Sequence, residues 1–272
     1  MRPIAIQLYS LRDEMENDVF GTLERVKALG YDGVEFAGLW GIAPEEMNAK
    51  LKEIGLVPVS AHISFYELRE DAEKVINDYK TAGCSHLVVP GLAPEDRPGA
   101  ENWEKTKSDL DRFGEMIRNA GMTLSYHNHD TEFVRLENGS YGFDDLYDTT
   151  NAENLKMQMD CCWVSVAGED PVKYLKKYAN RCPLLHLKDY VGRKSENMYA
   201  LIGIDESEKE QSEEFGFRPV GSGVVDFKSI LEAAESCGVE WYIVEQDLPT
   251  VGKTPFECAE MSIRALRSPQ KI

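Results

Sequence analysis

The chain has 272 residues, 42% of them hydrophobic and 10% aromatic, the make-up of a soluble globular protein of one large domain or two small ones. With 30 Lys plus Arg against 48 Asp plus Glu its net charge is −18, which repels nucleic-acid phosphates unless a local basic patch intervenes. No such patch is visible: Lys173, Lys176 and Lys177 follow helical spacing and read as a solvated face.

No apolar run reaches the ~20 residues of a membrane span. Met1-Arg2-Pro3-Ile4 leads into a strand-like segment without the apolar core of a signal peptide. A cytoplasmic location is expected, with no membrane or nucleic-acid partner. The six cysteines, Cys84, Cys161, Cys162, Cys182, Cys237 and Cys258, form no Cys-x-x-Cys pair and read as free thiols, mostly small core residues.

In chain order, a first strand is expected over Pro3 to Leu8, where Ile4, Ile6 and Leu8 alternate. A helix follows from Glu14 to Leu29, then a strand over Gly33 to Phe36. Pro44 to Ile54 is a helix with Pro at its start and Gly55 after its end. Val57 to Ile63 reads as a strand, Asp71 to Ala82 as a helix, His86 to Pro90 as a strand and Trp103 to Ala120 as a long helix. The fifth strand spans Met122 to Asn128, and a short helix starts at Gly142. Leu155 to Asp160 is a strand, Pro171 to Ala179 a helix and Pro183 to Leu187 a strand. A long connection, Tyr190 to Pro219, precedes the helix Asp226 to Ser236, the strand Trp241 to Gln246 and the last helix, Pro255 to Leu266.

Eight strands alternating with helices, undivided by a linker, predict a parallel sheet closed as a (β/α)8 TIM barrel, a single domain over residues 1–272. An internal repeat supports it. Gly30, Gly55, Gly83, Gly121 and Gly238 each close a helix, and the next strand ends a few residues on. Barrel active sites lie at the C-terminal ends of the strands. Those ends carry Glu35, His62, His127, Asp160, His186 and Glu245, with His129, Glu132 and Lys188 just beyond.

The densest stretch is Tyr126-His127-Asn128-His129-Asp130-Thr131-Glu132-Phe133. The chain holds five histidines, and in an extended segment His127 and His129 point the same way. Imidazole with carboxylate suits several divalent ions. A polar rim satisfied by hydrogen bonds is the plainer reading of any one of these residues. Carboxylates and imidazoles on six strand ends are harder to explain as packing, since a buried charge needs a partner. His86 starts its strand, so it lies at the opposite end.

These residues resemble the xylose-isomerase-like TIM-barrel superfamily, the sugar phosphate isomerases/epimerases, along the whole chain. The resemblance is strongest at Gln7-Leu8-Tyr9-Ser10-Leu11-Arg12, Gly33-Val34-Glu35-Phe36 and Tyr126-His127-Asn128-His129. It continues at Met159-Asp160-Cys161-Cys162-Trp163, His186-Leu187-Lys188-Asp189, Pro219-Val220-Gly221-Ser222-Gly223 and Val244-Glu245-Gln246-Asp247. It implies one divalent ion held by Asp160, His186 and Glu245, with manganese expected and magnesium, zinc or cobalt also compatible. Where many relatives carry a glutamate after strand 5, this chain has His127. Either His127 ligates or Glu132 reaches back; Glu132 is the expected ligand because it keeps three oxygens and one nitrogen. His127, His129 and Glu245 are then the expected proton carriers.

The resemblance makes His62 and Arg218 expected substrate-binding residues; Glu35, which suits hydroxyls or a paired cation, Lys188, which faces the same way as His186 and suits a substrate oxygen or a salt bridge to a ligand carboxylate, and Trp163, which suits stacking on a sugar face or packing, are expected beside them. The expected reaction is isomerisation or epimerisation of a ketose or keto-sugar through a proton next to a carbonyl. The alternative is β-elimination by a lyase or hydrolase on a 3-keto-glycoside or inosose; a non-catalytic sugar-binding subunit is a third reading. DNA repair is disfavoured by the charge and by too few histidines for a trinuclear zinc site. The acidic run Glu206 to Glu214, inside the long insertion at about 190–219, reads as a solvated loop; at a barrel mouth such a loop also suits a lid, or docking of a partner subunit or second copy.

Overall fold

The computed structural model describes residues 2–194, 198 and 215–268. Eight parallel strands close a barrel: β1 (Ile4–Gln7), β2 (Gly33–Phe36), β3 (Val57–His62), β4 (His86–Val89), β5 (Thr123–His127), β6 (Leu155–Asp160), β7 (Leu184–Leu187) and β10 (Trp241–Val244). Their order around the barrel is β1-β10-β7-β6-β5-β4-β3-β2. A two-stranded antiparallel hairpin, β8 (Asp189–Gly192) with β9 (Phe215–Arg218), stands outside it. The helices are α1 (Arg12–Asn17), α2 (Val19–Leu29), α3 (Pro44–Ile54), α4 (Phe65–Ala82), α5 (Trp103–Asn119), α6 (Gly142–Thr149), α7 (Cys161–Val166), α8 (Pro171–Lys177), α9 (Phe227–Ser236) and α10 (Pro255–Arg267). Among the described residues no helix is long and apolar enough to cross a membrane.

The strands lie where alternation and the cap glycines put them, and three helical segments differ for local reasons. The helix expected over Glu14 to Leu29 breaks at Asp18, whose backbone is extended and whose carboxylate caps the Gly21 N–H of α2. The helix expected from Asp71 starts at Phe65, behind a Ser64–Glu67 capping box. Asp71 sits at a kink inside it and accepts from Lys74 N, so the cap is real but internal. The short α7 begins directly after β6, its first turn capped by the Asp160 carboxylate on Trp163 N.

The long connection opens as structure rather than loop. Tyr190 stacks on Phe215, and Phe215 stacks on Trp163, so the hairpin's apolar side packs on α7. At its base the buried Asp189 carboxylate accepts the backbone N–H groups of Tyr190, Gly221, Gly223 and Val225. A Cβ on Gly223 would come within 2.2 Å of Asp189 Oδ1, so this knot admits only glycine there. The charge run Glu206 to Glu214 lies outside the described residues.

The main core fills the space between barrel and helices. A second apolar cluster, Ala5, Val59, Val88, Leu184 and Ile243, takes one residue from each of five strands. Ala5, Leu184 and Ile243 precede Gln7, His186 and Glu245 by two and share their face, so this cluster is the floor beneath the polar groups.

Two outcomes follow from the packing. Gly114 lies inside α5, where alanine normally gains about 1 kcal/mol. Its Cβ would meet Asn154 O at 2.0 Å, so Gly114→Ala should instead lower stability by about 1–3 kcal/mol in urea unfolding. Buried His86, at the start of β4, has its pKa pushed down to about 4 by burial. The unfolded chain takes up this proton near pH 6.5 and the folded chain only near 4, so stability falls as pH drops through that window. The pH slope there should be shallower in His86→Gln than in the parent.

Candidate metal and substrate site

Glu35 on β2 is fully buried, at the centre of the polar layer. Its Oε1 accepts from Gln7 Nε2 at 2.8 Å and faces His186 Nε2 at 2.7 Å. Its Oε2 accepts from Ser60 Oγ at 2.6 Å and Gln158 Nε2 at 2.5 Å. His62 Nε2 stands 3.1 Å from Oε1. Burial alone raises the carboxyl's pKa, but the His62 and His186 charges and hydrogen bonds hold it well below the ordinary range. Neighbouring strands deliver these groups in register, Gln7 beside Glu35 and Glu35 beside Ser60.

Above this layer His127, Asp160, His186 and Glu245 each offer a ligand atom, all within 4.8 Å of one another and all buried. Each histidine keeps one nitrogen on an oxygen acceptor and turns the other to the group. His186 Nε2 is on Glu35, and its Nδ1 is 3.1 Å from Glu245 Oε2. His127 Nδ1 is 2.9 Å from Gln158 Oε1, and its Nε2 is 3.8 Å from Asp160 Oδ2. Outer partners of this kind fix the tautomer of a metal-bound imidazole. Bonds of about 2.0–2.2 Å to one ion place its ligands about 3–3.5 Å apart, and the His186–Glu245 spacing matches. Asp160 Oδ2 is buried without a hydrogen-bond partner. Burial pushes Asp160 up to about 6 despite nearby Lys188 and His186, which marks a carboxylate short of cations.

The charges agree. Glu35, Asp160, Glu245 and Asp247 face two held cations, His186 and Lys188. Burial works against the His186 charge, but Glu35 and Glu245 lift its pKa to about 10. Burial likewise opposes Lys188, and Asp247, Glu245 and Asp160 hold it well above the usual lysine range. Once His186 gives up its proton to ligate, the four carboxylates face Lys188 alone, an excess of negative charge that suits a divalent ion. His62, His127 and His186 form a second close group. His62 Nε2 is spent on Gln158 Oε1 at 2.7 Å and on Glu35, so the mixed set is the better ligand set.

A cavity of about 620 Å³ opens over these groups. Of the expected residues, His62, His127, His129, Glu132, Lys188 and Glu245 line it. Glu132 does so without joining the ligand group. Its Oε1 accepts from Tyr126 OH at 2.8 Å and its Oε2 from His129 N at 2.7 Å, because the turn Asp130–Phe133 folds it back on its own strand. His127 holds the place expected of Glu132. His129 leans on Trp163, ring centroids 5.2 Å apart; burial and then the Lys188 charge push its pKa down to about 3.

Three expected substrate contacts are not at the cavity wall. Glu35 lies beneath it. Trp163 is fully buried behind His129, and Arg218 on β9 donates to Phe217 O. Gln158 and Ser60 were missed, though the signal was present: they precede Asp160 and His62 by two and share their faces. Tyr9 and Asp247, inside quoted motifs, and Arg97, inside none, also line the cavity.

A closed eight-stranded barrel with a mixed imidazole–carboxylate set at the strand ends defines a class of metal-site barrel enzymes. Residues 23–268 match the xylose isomerase-like TIM barrel family, and the chain belongs to it. It is 27% identical over 245 residues to an inosose dehydratase of Geobacillus thermodenitrificans (strain NG80-2), covering 86% of this chain and 76% of that one. Against two inosose dehydratases of Lacticaseibacillus casei, the chain spans about half of their length, 52% and 51%. A sugar phosphate isomerase/epimerase from Parabacteroides distasonis ATCC 8503 superposes with TM-score 0.79 at 24% identity, covering 98% of this chain and 94% of that one. The IolI protein with a bound zinc atom superposes with TM-score 0.73 at 15% identity, covering 97% and 96%. At these identities the two structures speak for the fold.

Metal analysis after dialysis checks the ligand set. Asp160→Asn and His127→Gln should each lose about 10–100-fold or more in divalent-ion affinity, while Glu132→Gln should keep a parent-like stoichiometry.

Proposed function

We propose that this chain is a divalent-metal-dependent lyase that removes water from a polyhydroxylated cyclic ketone or keto-sugar. The observation that carries the reading is the company His127 keeps: it stands with Asp160, His186 and Glu245 at the end of β5, where the resemblance leads one to expect a glutamate. Epimerisation between two opposed glutamates, which the resemblance implies for epimerases, would need a second free carboxylate facing Glu245, and the other glutamate of the wall, Glu132, is held by Tyr126 OH and the His129 amide. The 27% identity to an inosose dehydratase supports the same direction.

The ligands are His127, Asp160, His186 and Glu245, with manganese as first candidate and zinc, magnesium or cobalt behind it. A divalent ion bound there supplies Lewis acidity toward the substrate carbonyl. His129, a neutral imidazole on the cavity wall, accepts the proton from the carbon beside the carbonyl. The electron pair of that C–H bond forms the new C=C bond as the β-hydroxyl departs. Lys188, held as an ammonium by Asp247 and Glu245 at 2.8 and 2.7 Å, gives that hydroxyl the proton with which it leaves as water. His62 orients a substrate hydroxyl, and the barrel interior keeps bulk water away from the new double bond.

A second reading is epimerisation. Glu245 and His129 both line the cavity, so two proton carriers face one bound ring.

Incubating the metal-loaded protein with an inosose separates them. The lyase reading expects an unsaturated ketone with its near-ultraviolet absorbance and one water released per turnover; an epimer without that absorbance supports the second reading instead. His129→Asn should lower kcat by about 10²–10⁴-fold with metal content unchanged.

A further inference from the structure

The cavity has two unlike halves. The half over β5, β6, β7 and β10 carries the ligand group and Lys188. The half over β2 to β4 is walled mainly by Ala37, Phe65, Pro90, Leu92 and Ala93, with His62 and Ser64 at the end of β3 and one guanidinium, Arg97. Arg97 Nε donates to Leu92 O at 2.9 Å, which fixes the plane of the guanidinium. Its two terminal nitrogens have no hydrogen-bond or ion-pair partner among the described residues. The other cation of the cavity, Lys188, is neutralised by three carboxylates. Glu132, a carboxylate of the same wall, spends its oxygens on Tyr126, Thr131 and the His129 amide. The Arg97 charge is felt at Tyr126 and His129.

A positioned, partly desolvated guanidinium beside a largely apolar wall has no counter-charge among the described residues, and the low-dielectric surroundings strengthen any pair it makes. Its fork matches a carboxylate or phosphate with two parallel N–H···O bonds. At about 620 Å³ the cavity also exceeds what a bare six-carbon polyol occupies and lies within the usual small-molecule range of about 300–1,000 Å³. From these observations the structure assigns Arg97 as a specificity-determining residue: the substrate carries an anionic group, carboxylate or phosphate, which lies over the β2–β4 half of the cavity in the Arg97 fork. This rests on the reading that the cavity takes the substrate, and it deepens that reading by naming a charge the substrate bears.

The test is binding by titration calorimetry to the full metal-loaded chain, with three probes that share one ring: cyclohexanecarboxylate, cyclohexyl phosphate and the neutral cyclohexanecarboxamide. One anion should bind at least about tenfold more tightly than the amide, and the two anions tell a carboxylate subsite from a phosphate subsite. Arg97→Gln should erase the preference and Arg97→Lys should retain part of it, with melting temperature and metal content unchanged. Equal affinity for all three probes in the parent chain would overturn the assignment. So would an anion preference that survives in Arg97→Gln, since the ion itself would then be holding the probe. If Arg97→Gln does not fold, the parent and Arg97→Lys still decide: the fork requires Arg97→Lys to fall below the parent. Turnover of a neutral inosose without anion preference removes the subsite and spares the elimination; anion preference with no turnover of any keto-polyol does the reverse.

Discussion

The carboxylate of Glu35 sits inside the barrel with no access to water and is the constraint that the site depends on. Taking such a charge out of water costs several kcal/mol. It is tolerated because side chains from β1, β3, β6 and β7 converge on it: Gln7, Ser60, His62, Gln158 and His186. The same contacts that stabilise the ion also fix the orientation of His186 and, through Gln158, of His127. The carboxylate is thus a strut for the ligand group rather than a contact for substrate. Removing it would leave His186 free to turn and Gln158 without its acceptor.

That strut explains why two imidazoles stand in a crowd of carboxylates without collapsing onto them. Each ring is anchored on its outer nitrogen before any ion arrives, so little order remains to be imposed on binding. Lys188 does the complementary task on the other side. Pinned by Asp247, it keeps a positive charge beside Glu245 and Asp160 without occupying the place of a ligand. The cavity above therefore presents a neutral imidazole and an ammonium close to the His127–Asp160–His186–Glu245 group.

The barrel was legible in the sequence because period-two strands and glycine-capped helix ends recur at a regular spacing. Asp160, His186 and Glu245 were legible for the same reason, since strand ends in this fold share one mouth. Glu132 misled because chain position cannot show that the turn over Asp130–Phe133 folds its carboxylate back onto Tyr126 and the His129 amide. Glu35 was legible as a group that binds hydroxyls or pairs with a cation, and it pairs with His62 and His186; alternation tells which face a residue takes, not how far down the barrel it lies. Arg97 carried no signal. It comes from the loop after β4, outside any motif, and only the pairing of β4 with β5 puts it in one cavity wall with His129. The hairpin was hidden inside a long connection whose charged middle masked its aromatic ends, Tyr190, Phe215 and Phe217.

The Asp189 knot has a bearing on how this barrel tolerates change. Four amides from both sides of the excursion close on one buried carboxylate, so the hairpin's base is tied off before the chain departs and after it returns. Tension or added length beyond Gly192 stops at that tie and does not reach β7, where His186 sits. A change in the length of the excursion therefore meets this tie before it meets the strand that carries His186.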